Sequence, residues 1–249
     1  MQVEVCAFSI ESCVNAQQAG ATRIELCGGL YEGGTTPSYG LIKRAREATS
    51  LQLYVMIRPR GGDFCYDDDE FLVMKNDIEI AKELGADGVV FGLLLPTGEI
   101  DEARTSELVA LASPLKVTFH RAFDVAKNPF AALEAVIRTG AERILTSGQE
   151  NAALDGAELL AQLVEKAAGR IALMAGSGVN ATNALRLAQT GVQALHLTGK
   201  AARKGQMVYL KEGVSMASVL PTDEYEIIYS DALKIRSVVE AVNGANINY

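Results

Sequence analysis

The side chains best suited to chemistry in this chain fall two positions apart: Glu4 with Cys6, Glu25 with Cys27, Arg58 with Arg60, Thr118 with His120, and His196 with Thr198. Each pair lies in or at the end of a short apolar run, and residues two apart share one face of an extended strand. If those faces point into a common mouth, three kinds of reagent meet there. Glu25, His120 and His196 are candidates for general acid or base, a role that needs a group within hydrogen-bond reach and a pKa near neutral. Arg58, Arg60 and Arg121 offer planar forks of donors matched to carboxylate or phosphate. The thiols of Cys6 and Cys27 would share the mouth with them.

The segment Tyr54 to Phe64 shows the pattern most sharply. An apolar run of strand length stops at Arg58-Pro59-Arg60-Gly61-Gly62, so two guanidinium groups sit where a strand opens into a loop. The alternative is a surface ion pair on a turn. Only two histidines are present, and both fall at strand ends beside Arg or Glu, which favours a functional reading over a core imidazole. Asp124 follows His120 and Arg121 in the same loop. Gly176-Ser177-Gly178 and Thr198-Gly199 offer backbone N–H groups suited to a phosphate, although such glycines also serve simply to turn the chain.

Positioning these groups requires a frame, and the apolar periodicity supplies one. Strand-length runs occur at Val3–Phe8, Arg23–Cys27, Gln52–Ile57, Gly88–Leu94, Leu115–His120, Arg143–Thr146, Arg170–Ala175 and Ala194–Thr198. Helical spacing fills the gaps, as in Phe71–Leu84, Pro129–Thr139, Ala157–Ala168 and a helix starting near Asn180. The junctions Ala19-Gly20-Ala21, Leu84-Gly85-Ala86, Thr139-Gly140-Ala141 and Thr190-Gly191-Val192 each end a helix with glycine before an even-numbered strand, which suggests a two-strand, two-helix unit used four times. The pattern predicts a (β/α)8 TIM-type barrel as one domain over 1–249, with 200–249 as a C-terminal extension ending in a helix from Asp231 to Val242. An open doubly wound sheet would show a glycine fingerprint after its first strand, where this chain has Ser9-Ile10-Glu11-Ser12.

Composition narrows the partners. With 23 basic and 31 acidic residues the formal charge is −8, and no basic block stands out, so nucleic acid and anionic membranes are not expected. No apolar stretch is long enough to span a bilayer and Met1 leads straight into a strand, so a cytoplasmic location is expected. The four cysteines, Cys6, Cys13, Cys27 and Cys65, form no Cys-x-x-Cys pair and are expected as free thiols. Apolar residues of the tail, Met207, Val208, Val214, Met216, Val219 and Leu220, exceed what a barrel needs and predict a homodimer or higher oligomer.

Glu25-Leu26-Cys27, Glu32-Gly33-Gly34-Thr35-Thr36-Pro37-Ser38, Arg58-Pro59-Arg60-Gly61-Gly62-Asp63-Phe64, Phe119-His120-Arg121-Ala122-Phe123-Asp124 and Leu145-Thr146-Ser147-Gly148 together resemble the CutC family, named for copper homeostasis. The resemblance runs from Met1 to at least Thr198. It implies a cytoplasmic (β/α)8 barrel linked to copper tolerance, with Cu(I) held by thiols matching Cys6 and Cys27. Cu(I) is soft, and two sulfurs on neighbouring strands would bind it linearly. Cys65 is a candidate third sulfur, and Cys13 is expected to be structural. The rival reading is an enzyme acting on a small phosphorylated or carboxylated substrate, clamped by Arg58, Arg60 and Arg121 with His120 or Glu25 as general acid or base, since three arginines repel a cation; Asp124 and Ser147 are further candidate substrate contacts.

Overall fold

Each predicted apolar run forms a strand in the computed structural model, which describes residues 1–211, 213–214 and 223–244. β1 (Gln2–Ala7), β2 (Arg23–Leu26), β3 (Gln52–Met56), β4 (Gly88–Phe91), β5 (Lys116–Phe119), β6 (Arg143–Thr146), β7 (Ala172–Gly176) and β8 (Ala194–Leu197) lie parallel in sequence order, and β8 pairs with β1 to close the barrel. Helices α1 (Ile10–Gln18), α2 (Tyr39–Ala48), α3 (Asp68–Glu83), α4 (Glu102–Ala112), α5 (Pro129–Thr139), α6 (Ala157–Ala167) and α7 (Ala184–Ala188) follow the strands.

Local chemistry sets the helix ends. Ser9 and Ser38 accept from the amides of Ser12 and Leu41, and Asp67 with Glu70 forms a reciprocal capping box at α3. Gly20, Gly85, Gly140 and Gly191 adopt φ of +84°, +76°, +83° and +89°, as the repeated junctions required. The helix expected from Asn180 begins instead at Ala184. Asn180 Oδ1 accepts from the amide and hydroxyl of Thr182, and the side-chain amides of Asn180 and Asn183 both donate to the Gly178 carbonyl. Such local side-chain bonds offer the backbone an alternative to the helix.

Past β8 the structure adds an antiparallel ribbon of β9 (Lys200–Lys204) and β10 (Glu226–Ser230), which the weak periodicity of the tail did not reveal. It is tied to the rim of the barrel by the Ser230 amide on Ser12 Oγ at 3.0 Å and by Asn15 Nδ2 on the Ser230 carbonyl at 2.9 Å. Helix α8 (Ala232–Gly244) then packs between α7 and α1 and buries Ile235, Val238 and Val242. The extension therefore contains the eighth helix of the ring. Of the apolar tail residues, Met207, Val208 and Val214 are exposed, while Met216, Val219 and Leu220 lie outside the described residues. Among the described residues, no helix is long and apolar enough to cross a membrane.

Strand alternation separates two interiors. Outward-facing Val3, Val5, Ile24, Leu26, Val55 and Phe91 join the helices in one continuous apolar core. The lumen is polar. Glu4, Arg23, Thr118 and Arg143 lie buried along its lower part, where the Arg23 Nε donates to Glu4 and its guanidinium stacks 3.9 Å from the Tyr54 ring centroid. That ring fits because β4 opens with Gly88, where a Cβ would stand 2.3 Å from Tyr54 Cε1. Buried charges of this kind must be paired, and the pairing fixes the strands that carry the mouth.

Candidate functional site

From the level of Arg23 upward, β1, β2 with the residue that follows it, and β8 bring Glu4, Cys6, Glu25, Cys27 and His196 together. Cys6 Sγ lies 3.7 Å from Cys27 Sγ, and Cys27 Sγ lies 3.5 Å from Glu25 Oε2. His196 Nδ1 is held 2.7 Å from Glu4 Oε1, which turns Nε2 toward Glu25 Oε2 at 3.8 Å. One ligand atom from each of Cys6, Glu25 and His196 falls within 4.8 Å of the others. All five residues are buried, so their protonation is set by one another. Burial alone would raise the Glu4 carboxyl, but Arg23 and His196 outweigh it and hold it at about 2. The Cys27 thiol, helped by His196 and opposed by burial, lowers Cys6 to about 6. Burial, with the negative groups nearby, pushes Glu25 and Cys27 well above their usual ranges. His196 is also raised, because burial is overcome by Glu25, Cys6 and Glu4. One thiol is thus favoured as thiolate beside a protonated imidazole.

The arginine segment has a different fate. Arg58 Nη1 donates to the carbonyls of Glu32 and Gly34 at 2.7 and 3.0 Å, and Nη2 to that of Gly62 at 2.9 Å, so its fork knots the loops after β2 and β3. Arg60 turns away to Glu70, Asp63 and the Cys65 carbonyl. Arg121 is bound by Asp124 at 2.6 Å and donates to Ser147 Oγ at 3.1 Å. Asp124 in turn accepts from the amides of Ser147 and Gln149 and from the Thr146 hydroxyl, clasping the loop after β6. His120 caps the turn after β5, its Nδ1 accepting from the Ala122 amide at 3.3 Å. Burial and then the Arg58 charge depress its pKa to about 3, so the ring is neutral.

A cavity of 410 Å³ opens at the C-terminal ends of the strands, where barrel chemistry gathers. Of the expected site residues, Cys6, Glu25, Arg58, His120, Arg121, Ser177, Gly178, His196 and Thr198 line it; Arg60, Asp124, Ser147, Gly176 and Gly199 do not. Cys27 lies fully buried beneath the lining. Gly176 serves by its lack of a side chain: a Cβ there would meet Leu145 Cδ1 at 2.5 Å and His196 Cβ at 3.3 Å. Gly199, at φ +58°, turns the chain against Ile235 of α8. Cys65 sits in the loop after β3 and is not among the lining residues, and Cys13 is buried in α1 with its thiol pushed up to about 12 by burial. Glu4 shares a strand face with Cys6 but was assigned no part in the chemistry, and Lys200, which lines the cavity, carried no signal beyond following Gly199.

Fold and site together define a (β/α)8 barrel with a thiol, imidazole and carboxyl centre at its C-terminal mouth. The CutC family profile matches residues 1–201, and the chain belongs to that family. A CutC family protein of Bacteroides thetaiotaomicron is 50% identical over 243 residues, covering 97% of this chain and 98% of its own. The human copper homeostasis protein cutC homolog is 46% identical over 237 residues, 95% of this chain and 87% of its own. The crystal structure of a CutC protein from Streptococcus agalactiae superposes with a TM-score of 0.76 at 37% identity, covering 80% of this chain and 98% of that one. Thiamine phosphate pyrophosphorylase of Pyrococcus furiosus, at 16% identity and a TM-score of 0.59, shares the fold alone.

Proposed function

We propose that this protein acts in copper homeostasis by binding one Cu(I) ion between Cys6 and Cys27, with His196 as the third ligand. The 3.7 Å separation of the two sulfurs carries the reading. With a metal–thiolate bond of about 2.3 Å, that spacing gives a sulfur–metal–sulfur angle of about 107°. A linear site would need the sulfurs about 4.6 Å apart, so the arrangement favours a bent site with a further ligand over the linear pair expected from the sequence. His196 Nε2 is the soft-compatible donor on hand, and Glu4 at Nδ1 is the outer carboxylate that orients a metal-binding imidazole. Glu25, a hard oxygen donor whose carboxyl is held protonated by burial, suits a hydrogen-bonding role beside the sulfurs. Copper homeostasis in the curated human and mouse relatives supports the same cargo.

The test is titration of the reduced protein with Cu(I) against a competing chelator. One tight equivalent is expected, with Cys6→Ser or Cys27→Ser weakening it at least 100-fold and His196→Ala about 10- to 100-fold. Wild-type affinity in either cysteine variant would overturn the assignment.

A further inference from the structure

The charged side chains that line the cavity have the wrong sign for a bare cation. Arg58, Arg121 and Lys200 stand against the single carboxyl of Glu25, in a chain whose formal charge is −8. Arg121 is bound to Asp124. The Arg58 guanidinium donates to carbonyl oxygens, and among the described residues neither Arg58 nor Lys200 pairs with a carboxylate. Two positive charges are therefore left at the mouth without counter-ions from the protein.

Lys200 is placed where that sign matters most. It is exposed and follows β8, yet its ammonium lies 5.8 Å from the ring centroid of Tyr31, in the turn after β2. β1 stands between β8 and β2 in the barrel, so the side chain reaches across the end of β1. Cys6 and Phe8 lie there, and with Leu30 and Lys200 they line both the main cavity and a small recess beside it. A positive group over the approach to a cation site repels a bare ion and draws an anion.

The space points the same way. An ion needs almost no room, whereas 410 Å³ accommodates a small organic molecule. Cys6, only 6% exposed, and the fully buried Cys27 can be reached by a carrier that enters the cavity. A protein donor would have to thread its own metal ligands into the mouth.

We propose, resting on the copper reading above, that Cu(I) enters this site as a complex with a small anionic thiol. The carboxylates of the carrier are drawn by Lys200 and by the charges of Arg58 and Arg121, and the metal is thereby presented to Cys6. The step is a ligand exchange without change of oxidation state. One copper–sulfur bond to the carrier breaks as the bond to Cys6 Sγ forms, and the proton of the Cys6 and His196 pair leaves on the departing carrier thiolate. A second exchange at Cys27, whose thiol proton leaves with the second carrier thiolate, completes the transfer. Arginines that would repel a free cation thus suit a cargo that arrives as an anion.

The experiment offers Cu(I) to the reduced, metal-free protein in three forms: with glutathione, an anionic thiol; with cysteamine, a cationic one; and as the acetonitrile-solvated ion. Uptake is stopped after a set delay with bathocuproine disulfonate, which captures the copper not yet taken. At low ionic strength, transfer from glutathione is expected to be about tenfold or more faster than from cysteamine, and added salt should shrink the difference. Lys200→Glu should slow transfer from glutathione about tenfold and speed it from cysteamine, with Lys200→Gln between. Equal rates from the two thiols in the wild-type protein, or an unchanged glutathione rate in Lys200→Glu, would overturn the inference and leave copper binding standing. No uptake from any of the three forms would overturn the copper reading itself, and this inference with it.

Discussion

The two sides of the barrel mouth hold similar numbers of charged residues but use them oppositely. On β1, β2 and β8 the side chains face one another: Glu4 holds His196, and Cys6, Cys27 and Glu25 cluster beneath it, with Glu25 Oε1 left without a partner. On β3, β5 and the loop after β6, the donors are bound to the protein's own backbone and loop carboxylates. Arg58 serves three carbonyls, and Arg121 and Asp124 clasp each other and the turn at Ser147. The arginine side is thus largely a scaffold, whereas the sulfur side gathers thiols, imidazole and carboxyls that face one another. Residue type at a strand end does not reveal the difference; the hydrogen-bond partners do.

The sharpest way to break this contrast is Glu4→Gln. Glu4 is the counter-ion of buried Arg23 as well as the orienting partner of His196. Removing its charge leaves buried Arg23 with only the longer contact to Glu142 at 3.6 Å, and breaking a buried pair of this kind costs about 3–5 kcal/mol. Urea unfolding should show that loss, and Cu(I) affinity should fall about 10-fold or more as His196 loses its orientation. Full stability in Glu4→Gln would mean that the lumen is wetter than its 1% exposure implies.

Next in size are the two arginines that looked alike. Arg58→Ala strands three carbonyls and opens a space beneath the loops after β2 and β3, with an expected loss of about 2–4 kcal/mol. Arg60 is 38% exposed at its side chain and pairs with Glu70 and Asp63 at the surface, so Arg60→Ala should cost below about 1 kcal/mol. Equal losses would erase the distinction between a buried tie and a surface pair.

The frame was legible because it follows from local rules. Apolar runs of strand length found the strands, period-3.6 spacing found most of the helices, and glycine at helix ends marked the repeat at Gly20, Gly85, Gly140 and Gly191. The shared faces of Glu4 with Cys6 and Glu25 with Cys27 were legible for the same reason, since alternation along a strand is geometric. Which donors remained free was not legible. Arg58 meets carbonyls of Glu32 and Gly34 more than twenty residues away, and Arg60 swings to Glu70 on α3, contacts that no spacing rule predicts. The ribbon of β9 and β10 was missed because residues of both strands face solvent, which removes the alternation that betrays a half-buried strand.

The two histidines carry the contrast to its finest test. His120 is buried neutral, with its pKa lowered from 6.5 to about 3, so between those values the unfolded chain binds one proton more than the folded one. Stability then rises with pH through that window, and His120 makes acid destabilising by about 1.4 kcal/mol per pH unit. His196 is raised well above 6.5, so above that value the folded protein holds the extra proton. Its contribution is complete below 6.5 and declines as pH rises through the folded pKa. Measured by urea unfolding from pH 4 to 9, His120→Gln should flatten the acid limb and leave the alkaline limb in place, and His196→Gln should do the reverse. An acid limb unchanged in His120→Gln would show that this imidazole is not held neutral, and its Nδ1 could not then accept from the Ala122 amide.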